Sequence, residues 1–226
     1  MQSPMTGVQA ILDQLNQHRS AGGYLLVEQV VALGADGIVV TDPFAVQISK
    51  HVVFKGSCRI RGAVNLLSDT AGALTIGSGV TIEGSCTIEA KNGGTVTVGD
   101  GADIGVEGGF HIHANVAESS IVLGPRVRLY GGGAIYGKSV LGQGAQILGR
   151  IKVVNCILAG GADSSEPNPD LRGAVLKGMG LAENISLQCG EVVRSFGLFT
   201  ALQTQRQVEF HPYPPHNPPP HPPSHP

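Results

Sequence analysis

At 226 residues, 42% of them apolar, the chain has room for one domain of ordinary size with a substantial core. Its 33 glycines and only 14% charged residues argue against a helical protein. A formal net charge of −2 gives no electrostatic drive toward nucleic acid. No basic stretch followed by an apolar one opens the chain, and no apolar run is long enough to span a bilayer. The expected setting is therefore soluble, reducing and cytoplasmic, with neither a membrane nor a nucleic-acid partner.

Residues 1–6 read as frayed. From Thr6, a plausible N-cap, apolar residues at Val8, Ile11, Leu12 and Leu15 form a helical stripe that Ser20–Gly23 ends. Tyr24 to Leu33 predicts a second helix ended by Gly34, with a strand as the alternative because of its β-branched residues. Ile38–Val40 follows as a short strand, and Thr41-Asp42-Pro43 as a turn.

A beat of six residues then begins. It runs through Ile48, Phe54, Ile60 and Leu66, with Val52, Cys58 and Val64 in a second, smaller slot. It slips across SDTAGA, resumes at Ile76, Ile82 and Ile88, slips again at AKNGGT, and continues through Val98, Ile104 and Ile112. It is clearest at Leu123, Leu129, Ile135, Leu141, Ile147, Val153 and Ala159, where Val127, Gly133, Ser139, Ala145, Ile151 and Ile157 take the second slot. A period of six fits neither a helix nor a meander. It is the signature of a parallel β-helix, each hexad supplying one strand and one corner of a triangular coil. After the loop GGADSSEPNPDLRGA the beat returns as Val175, Leu181, Leu187 and Val193. About seven coils and a rod of about 33 Å are expected at ordinary strand spacing.

The expected organisation is an N-terminal helical segment (1–37), a hexapeptide β-helix (38–193), a C-terminal cap (194–210) and a disordered Pro/His-rich tail (211–226). The four cysteines (Cys58, Cys86, Cys156, Cys189) show no CxxC, and Cys58 and Cys86 share one repeat slot, as buried thiols would.

Candidate chemistry centres on GGFHIHAN. His111 and His113 flank inward-pointing Ile112, so both face outward. If faces cycle in threes, Ile88, Ile112 and Ile135 stack, and Glu89, His113 and Tyr136 form an outward column suited to acid/base chemistry. The alternative is a polar stripe on a solvated or packed face. Three basic pairs also flank inward residues: Arg59 and Arg61, Arg126 and Arg128, Arg150 and Lys152. Of these, Arg126, Arg128, Arg150 and Lys152 are the candidates for gripping a phosphate, against the alternative of solvated surface charge. No metal site is expected, since a three-His zinc site lacks a third histidine nearby; His51 lies several coils away. No Walker-type loop, GxSxG or HExxH is present.

The repeats LTIGSGVTIEGSCTIEA and IVLGPRVRLYGGGAIYGKSVLGQGAQILGR resemble the hexapeptide-repeat, left-handed β-helix superfamily over about residues 44–193. The resemblance, and not the periodicity, implies the left hand. The lead-in segment LGADGIVVTDPFAVQIS is similar to the linker that precedes the C-terminal β-helix domain of bacterial nucleotide-sugar pyrophosphorylases of the N-acetylglucosamine-1-phosphate uridyltransferase type, with Gly37, Ile38, Asp42 and Pro43 matching. That family carries a Rossmann-like domain with a Gly-rich, Arg/Lys-bearing motif, which this sequence lacks, so uridylyltransferase activity does not carry over. The surroundings of His111 and His113 do not match the family's catalytic histidine.

The resemblance implies a β-helix module related to nucleotide-sugar transferase C-terminal domains, with an assembly, regulatory or sugar-nucleotide-binding role, as a shortened or detached domain. A nucleotidyltransferase would be its partner. The alternatives are a stand-alone acyltransferase using acetyl-CoA or another acyl thioester, or a structural scaffold. If the chain is an enzyme, a transferase is expected, with no required cofactor and a homo-oligomer, such as a trimer, as its working form.

Overall fold

The computed structural model describes residues 4–211. Of the Pro/His-rich tail, only His211 falls within that range. Helix α1 (Pro4–Ala21) starts two residues before Thr6, with Pro4 in the first turn, where its missing N–H costs nothing. Thr6 is therefore inside the helix and does not cap it. The expected apolar stripe is only half used: Val8 and Ile11 are exposed, and Leu12 and Leu15 are partly covered. The second segment is helical, but shorter than expected. Helix α2 spans Val27–Ala32 and runs into a 3-10 turn at Leu33–Asp36. Asn16 of α1 joins the two helices: its Oδ1 accepts from Val27 N at 3.0 Å, and its Nδ2 donates to Glu28 at 2.8 Å.

From Ile38 the chain winds into a parallel β-helix with three faces. The first face holds Ile38–Val40, Cys58–Arg61, Val80–Glu83, Asp103–Ile104, Arg128–Tyr130 and Gln146–Leu148. The second holds Gln47–Ile48, Val64–Ser68, Cys86–Ala90, His111–Ala114, Ala134–Tyr136 and Ile151–Val154. The third is a separate seven-stranded sheet running from Val53–Phe54 to Ser186–Leu187. Two long strands, Val175–Glu183 and Glu191–Phe199, turn the corner and merge the first two faces.

The core is three stacked ladders of aliphatic side chains. On the second face Ile48, Leu66, Ile88, Ile112, Ile135, Val153 and Ala182 lie in consecutive register, all fully buried. Burying each large aliphatic side chain contributes about 1.5–3 kcal/mol. The insertions near residues 69–72, 91–94, 105–109 and 115–119 all fall at corners, so the register passes through them unbroken. Glycine is required where corners stack. Gly149 has φ 124°, and a Cβ there would run into the carbonyl of Gly178. Gly133 leaves room for Phe110, whose ring fills the small slot and is fully buried; a Cβ on Gly133 would lie 2.7 Å from that ring.

The beat departs from the expected one in the later coils. Leu141 pairs with Leu158, one residue short of three hexads, because Asn155 takes φ 52° and tightens the corner. Cys156 therefore fills the inward slot, while Ile157 points out and is 53% exposed. A second tight corner, at Asn184 with φ 55°, sets inward Ala182 and Leu187 five residues apart, so Leu176 and Ala182 are inside where Val175 and Leu181 were expected. The last strand also runs past the expected boundary at 193, to Phe199, whose buried ring closes the second-face ladder above Ala182.

Both ends of the rod are covered. Arg19, itself buried, donates to the carbonyls of Leu25 (3.1 Å), Pro43 (3.0 Å) and Val46 (2.8 Å), pinning α1 to the lead-in turn. Asp42 Oδ1 closes that turn by accepting from Phe44 N at 2.9 Å. At the other end Thr204–Arg206 pairs antiparallel with Glu191–Val193 and ends the parallel stacking. No helix among the described residues is long and apolar enough to cross a membrane.

Candidate functional site

Strand alternation puts every second side chain of the second face in contact with solvent, and the register decides which of them meet. Ile88, Ile112 and Ile135 do stack. Their successors Glu89, His113 and Tyr136 therefore stand in one outward column, as the spacing predicted.

His113 is its centre. Its Nδ1 lies 3.2 Å from Glu89 Oε2. The same carboxylate receives Lys91 Nζ at 2.7 Å and Asn115 Nδ2 at 2.9 Å. Partial burial opposes its ionisation, but the hydrogen bonds from Lys91 and His113 outweigh that and hold Glu89 below the usual carboxylate range. An ionised Glu89 can only accept, so Nδ1–H of His113 donates and the lone pair of the neutral ring sits on Nε2. Nε2 has no protein partner among the described residues. Tyr136 stacks on the other side of the ring, with centroids 5.2 Å apart, and Lys152 Nζ lies 5.2 Å over the Tyr136 ring. His111 stacks on His113 at 6.0 Å.

Beside this ladder is an open groove of about 280 Å³. Its floor is Gly132, Gly133 and Gly180, and its sides include His111, Arg150 and Lys152. The small floor brings backbone close to any occupant, and the rim is cationic.

The four expected phosphate-gripping residues are split between two faces. Arg150 and Lys152 edge the groove next to His111. Arg128 is on the first face, in a different and larger cleft of about 470 Å³ under the C-terminal cap. Arg126 is at a corner with φ 55° and pairs with Asp163 at 3.0 Å. The structure thus brings His111, His113, Glu89, Tyr136, Arg150 and Lys152 together, and leaves Arg126 and Arg128 out.

Three residues of consequence carry no signal in the sequence. Lys91 and Asn115 sit where corner insertions begin, two residues after Glu89 and His113; the repeat marks neither, and coil stacking brings Asn115 to Glu89. Arg19 is the third; a lone arginine in a helix reads as surface charge, yet it is buried and hydrogen-bonded to four carbonyls. Cys58 and Cys86 are free and buried, as their shared repeat slot suggested; Cys156 is also free and buried, brought inward by the slip at Asn155, and Cys189 is partly covered. No cluster of metal-binding side chains occurs among the described residues. Comparison with protein-family models, with curated proteins and with solved structures finds no match to this chain.

Proposed function

We propose that this β-helix is a transferase module in which His113 acts as general base toward a hydroxyl or amine of a sugar-like acceptor, with an acyl thioester such as acetyl-CoA as donor. The observation that carries the reading is the Glu89–His113 pair, which engages Nδ1 and leaves Nε2 free on a ring stacked against His111, itself on the wall of the groove. In the step, Nε2 takes the acceptor proton as the acceptor oxygen or nitrogen attacks the thioester carbonyl. The new C–O or C–N bond forms, the C–S bond breaks, and the imidazolium returns its proton to the departing thiolate. Arg150 and Lys152 supply positive potential for an anionic part of either substrate.

The test is acceptor-dependent release of free thiol from acetyl-CoA across a panel of amino and hydroxy sugars and their phosphates. His113→Ala should slow release by about 10²- to 10⁴-fold with an unchanged melting temperature. The reading is overturned by the absence of both thiol release and any CoA-induced thermal shift.

A second reading is an assembly or regulatory module for a nucleotide-sugar transferase, free or as a homo-oligomer. It is favoured by the third face, whose outward row Val53, Thr75, Thr97, Val122, Val140 and Ile157 carries no charge. Light scattering of the chain alone, and with a nucleotidyltransferase, tests it; a monomer that binds neither itself nor the transferase would exclude it.

A further inference from the structure

The larger cleft, under the C-terminal cap, shares no residue with the His113 ladder. Its floor is apolar, made by Leu148, Val175 and Val192 of the first face, with Phe210 among its lining residues. Around that floor stand Arg128, Arg172, Lys177 and Arg194, and no carboxylate lines it. Lys177 and Arg194 are directly opposite each other on adjacent strands, a like-charge pairing that costs stability unless something offsets it.

The nearby acids are engaged elsewhere. Asp103 accepts from the Tyr130 hydroxyl at 2.6 Å, Asp170 pairs with Arg206 at 3.4 Å, and Glu191 accepts from Gln188 N at 2.7 Å. None of the four cations has a carboxylate within ion-pair distance among the described residues. Three of them are nevertheless held by neutral partners. Arg128 donates to Gln146 Oε1 at 3.2 Å and lies 4.6 Å over Tyr130; Arg172 Nε donates to the Glu166 carbonyl at 2.7 Å; Arg194 lies 4.8 Å over Phe210. The guanidinium groups are thus positioned in advance with their charge uncompensated, which lowers the cost of ordering them around an anion. The cap completes the wall: buried Gln207 donates to the Gly173 carbonyl at 2.8 Å and anchors the segment that carries Phe210.

We propose that this cleft binds a diphosphate ester carrying a flat ring, of the nucleoside diphosphate class. The guanidinium groups and Lys177 take the two phosphates, and the ring lies on the apolar floor beside Phe210. A volume of about 470 Å³ suits a ligand of that size. The site stands on its own residues and does not depend on the transfer reading.

The test is calorimetric titration of the full chain with inorganic pyrophosphate, ADP, UDP and coenzyme A, the last three separating sources of the same diphosphate chemistry. At least one of the ring-bearing ligands should bind, about tenfold or more tighter than pyrophosphate, and high salt should weaken every arm. Lys177→Gln with Arg194→Gln should weaken binding by at least about tenfold at an unchanged melting temperature, while His113→Ala leaves it intact. If the double variant does not fold, Lys177→Gln alone carries the test, since that side chain is exposed. Absence of binding in all arms, full affinity in the lysine variant, or loss of binding in His113→Ala would each overturn the proposal.

Discussion

The second and third faces of the rod are built on the same inner ladder and present opposite exteriors. Inside, both stack buried aliphatic residues in unbroken register. Outside, the second face displays Glu89, His113 and Tyr136 in one row and Thr87, His111, Ala134 and Lys152 in the next. The third displays Thr97, Val122, Val140 and Ile157, with Lys138 as the charge in its other row, tied to Glu118 at 3.0 Å. The inward positions therefore specify the fold and are nearly interchangeable between faces. The outward positions are free of that constraint and carry whatever distinguishes one face from another.

The largest effect should come from breaking the part the faces share. Ile112→Ala removes a fully buried side chain between Ile88 and Ile135 and should cost about 2–5 kcal/mol in urea unfolding. Thr97→Ala on the outside of the third face should stay within about 0.5 kcal/mol. Equal costs at the two sites would end the division between inner and outer positions.

Next in size is the difference between the exteriors. Charging the third face with Val140→Lys and Ile157→Glu, opposite charges on facing positions, should leave the melting temperature nearly unchanged, since both side chains are already solvent-exposed. If the third face is the association surface, the mass measured by light scattering should fall. An unchanged oligomer after both substitutions would move the interface elsewhere.

A smaller, pH-dependent effect belongs to Glu89. Its carboxyl is held below the ordinary range in the folded chain, so its contribution to stability is complete above the ordinary value of about 4.3 and is lost as pH falls through the lowered folded value. Glu89→Gln should flatten that part of the acid limb of a stability–pH curve. An identical acid limb in the two proteins would mean that the carboxylate is not held by Lys91 and His113.

The smallest effects are expected at the thiols. Burial pushes Cys58 up to about 12 and Cys86 up to about 11, and it raises Cys156 as well. All three should resist alkylation near neutral pH until the chain unfolds, leaving Cys189 as the faster-reacting thiol. Rapid modification of Cys86 in the native protein would show that the inner slot is open.

The inner beat was legible in the sequence because one aliphatic side chain every six residues matches the corner spacing of a triangular coil and no helix or hairpin period. The Glu89–His113–Tyr136 column followed from counting faces. The slip at Asn155 was not legible. Ile157 suits an inward or an outward position equally by composition, and only the positive φ of Asn155 decides between them. The helical stripe of α1 misled for a related reason, since apolar spacing gives the face but not whether anything covers Val8 and Ile11. The cleft under the cap could not be seen either. Lys177 and Arg194 meet only through coil register, and Arg172 reaches them from a loop whose path the repeat does not dictate.

The transfer chemistry rests most directly on the state of the His113 ring, which nitrogen-15 and proton correlation spectra of histidine-labelled protein can read. The predicted result is that the neutral form of the ring carries its proton on Nδ1, and that Glu89→Gln changes this. A ring protonated on Nε2, as free histidine prefers, and indifferent to Glu89→Gln would contradict it.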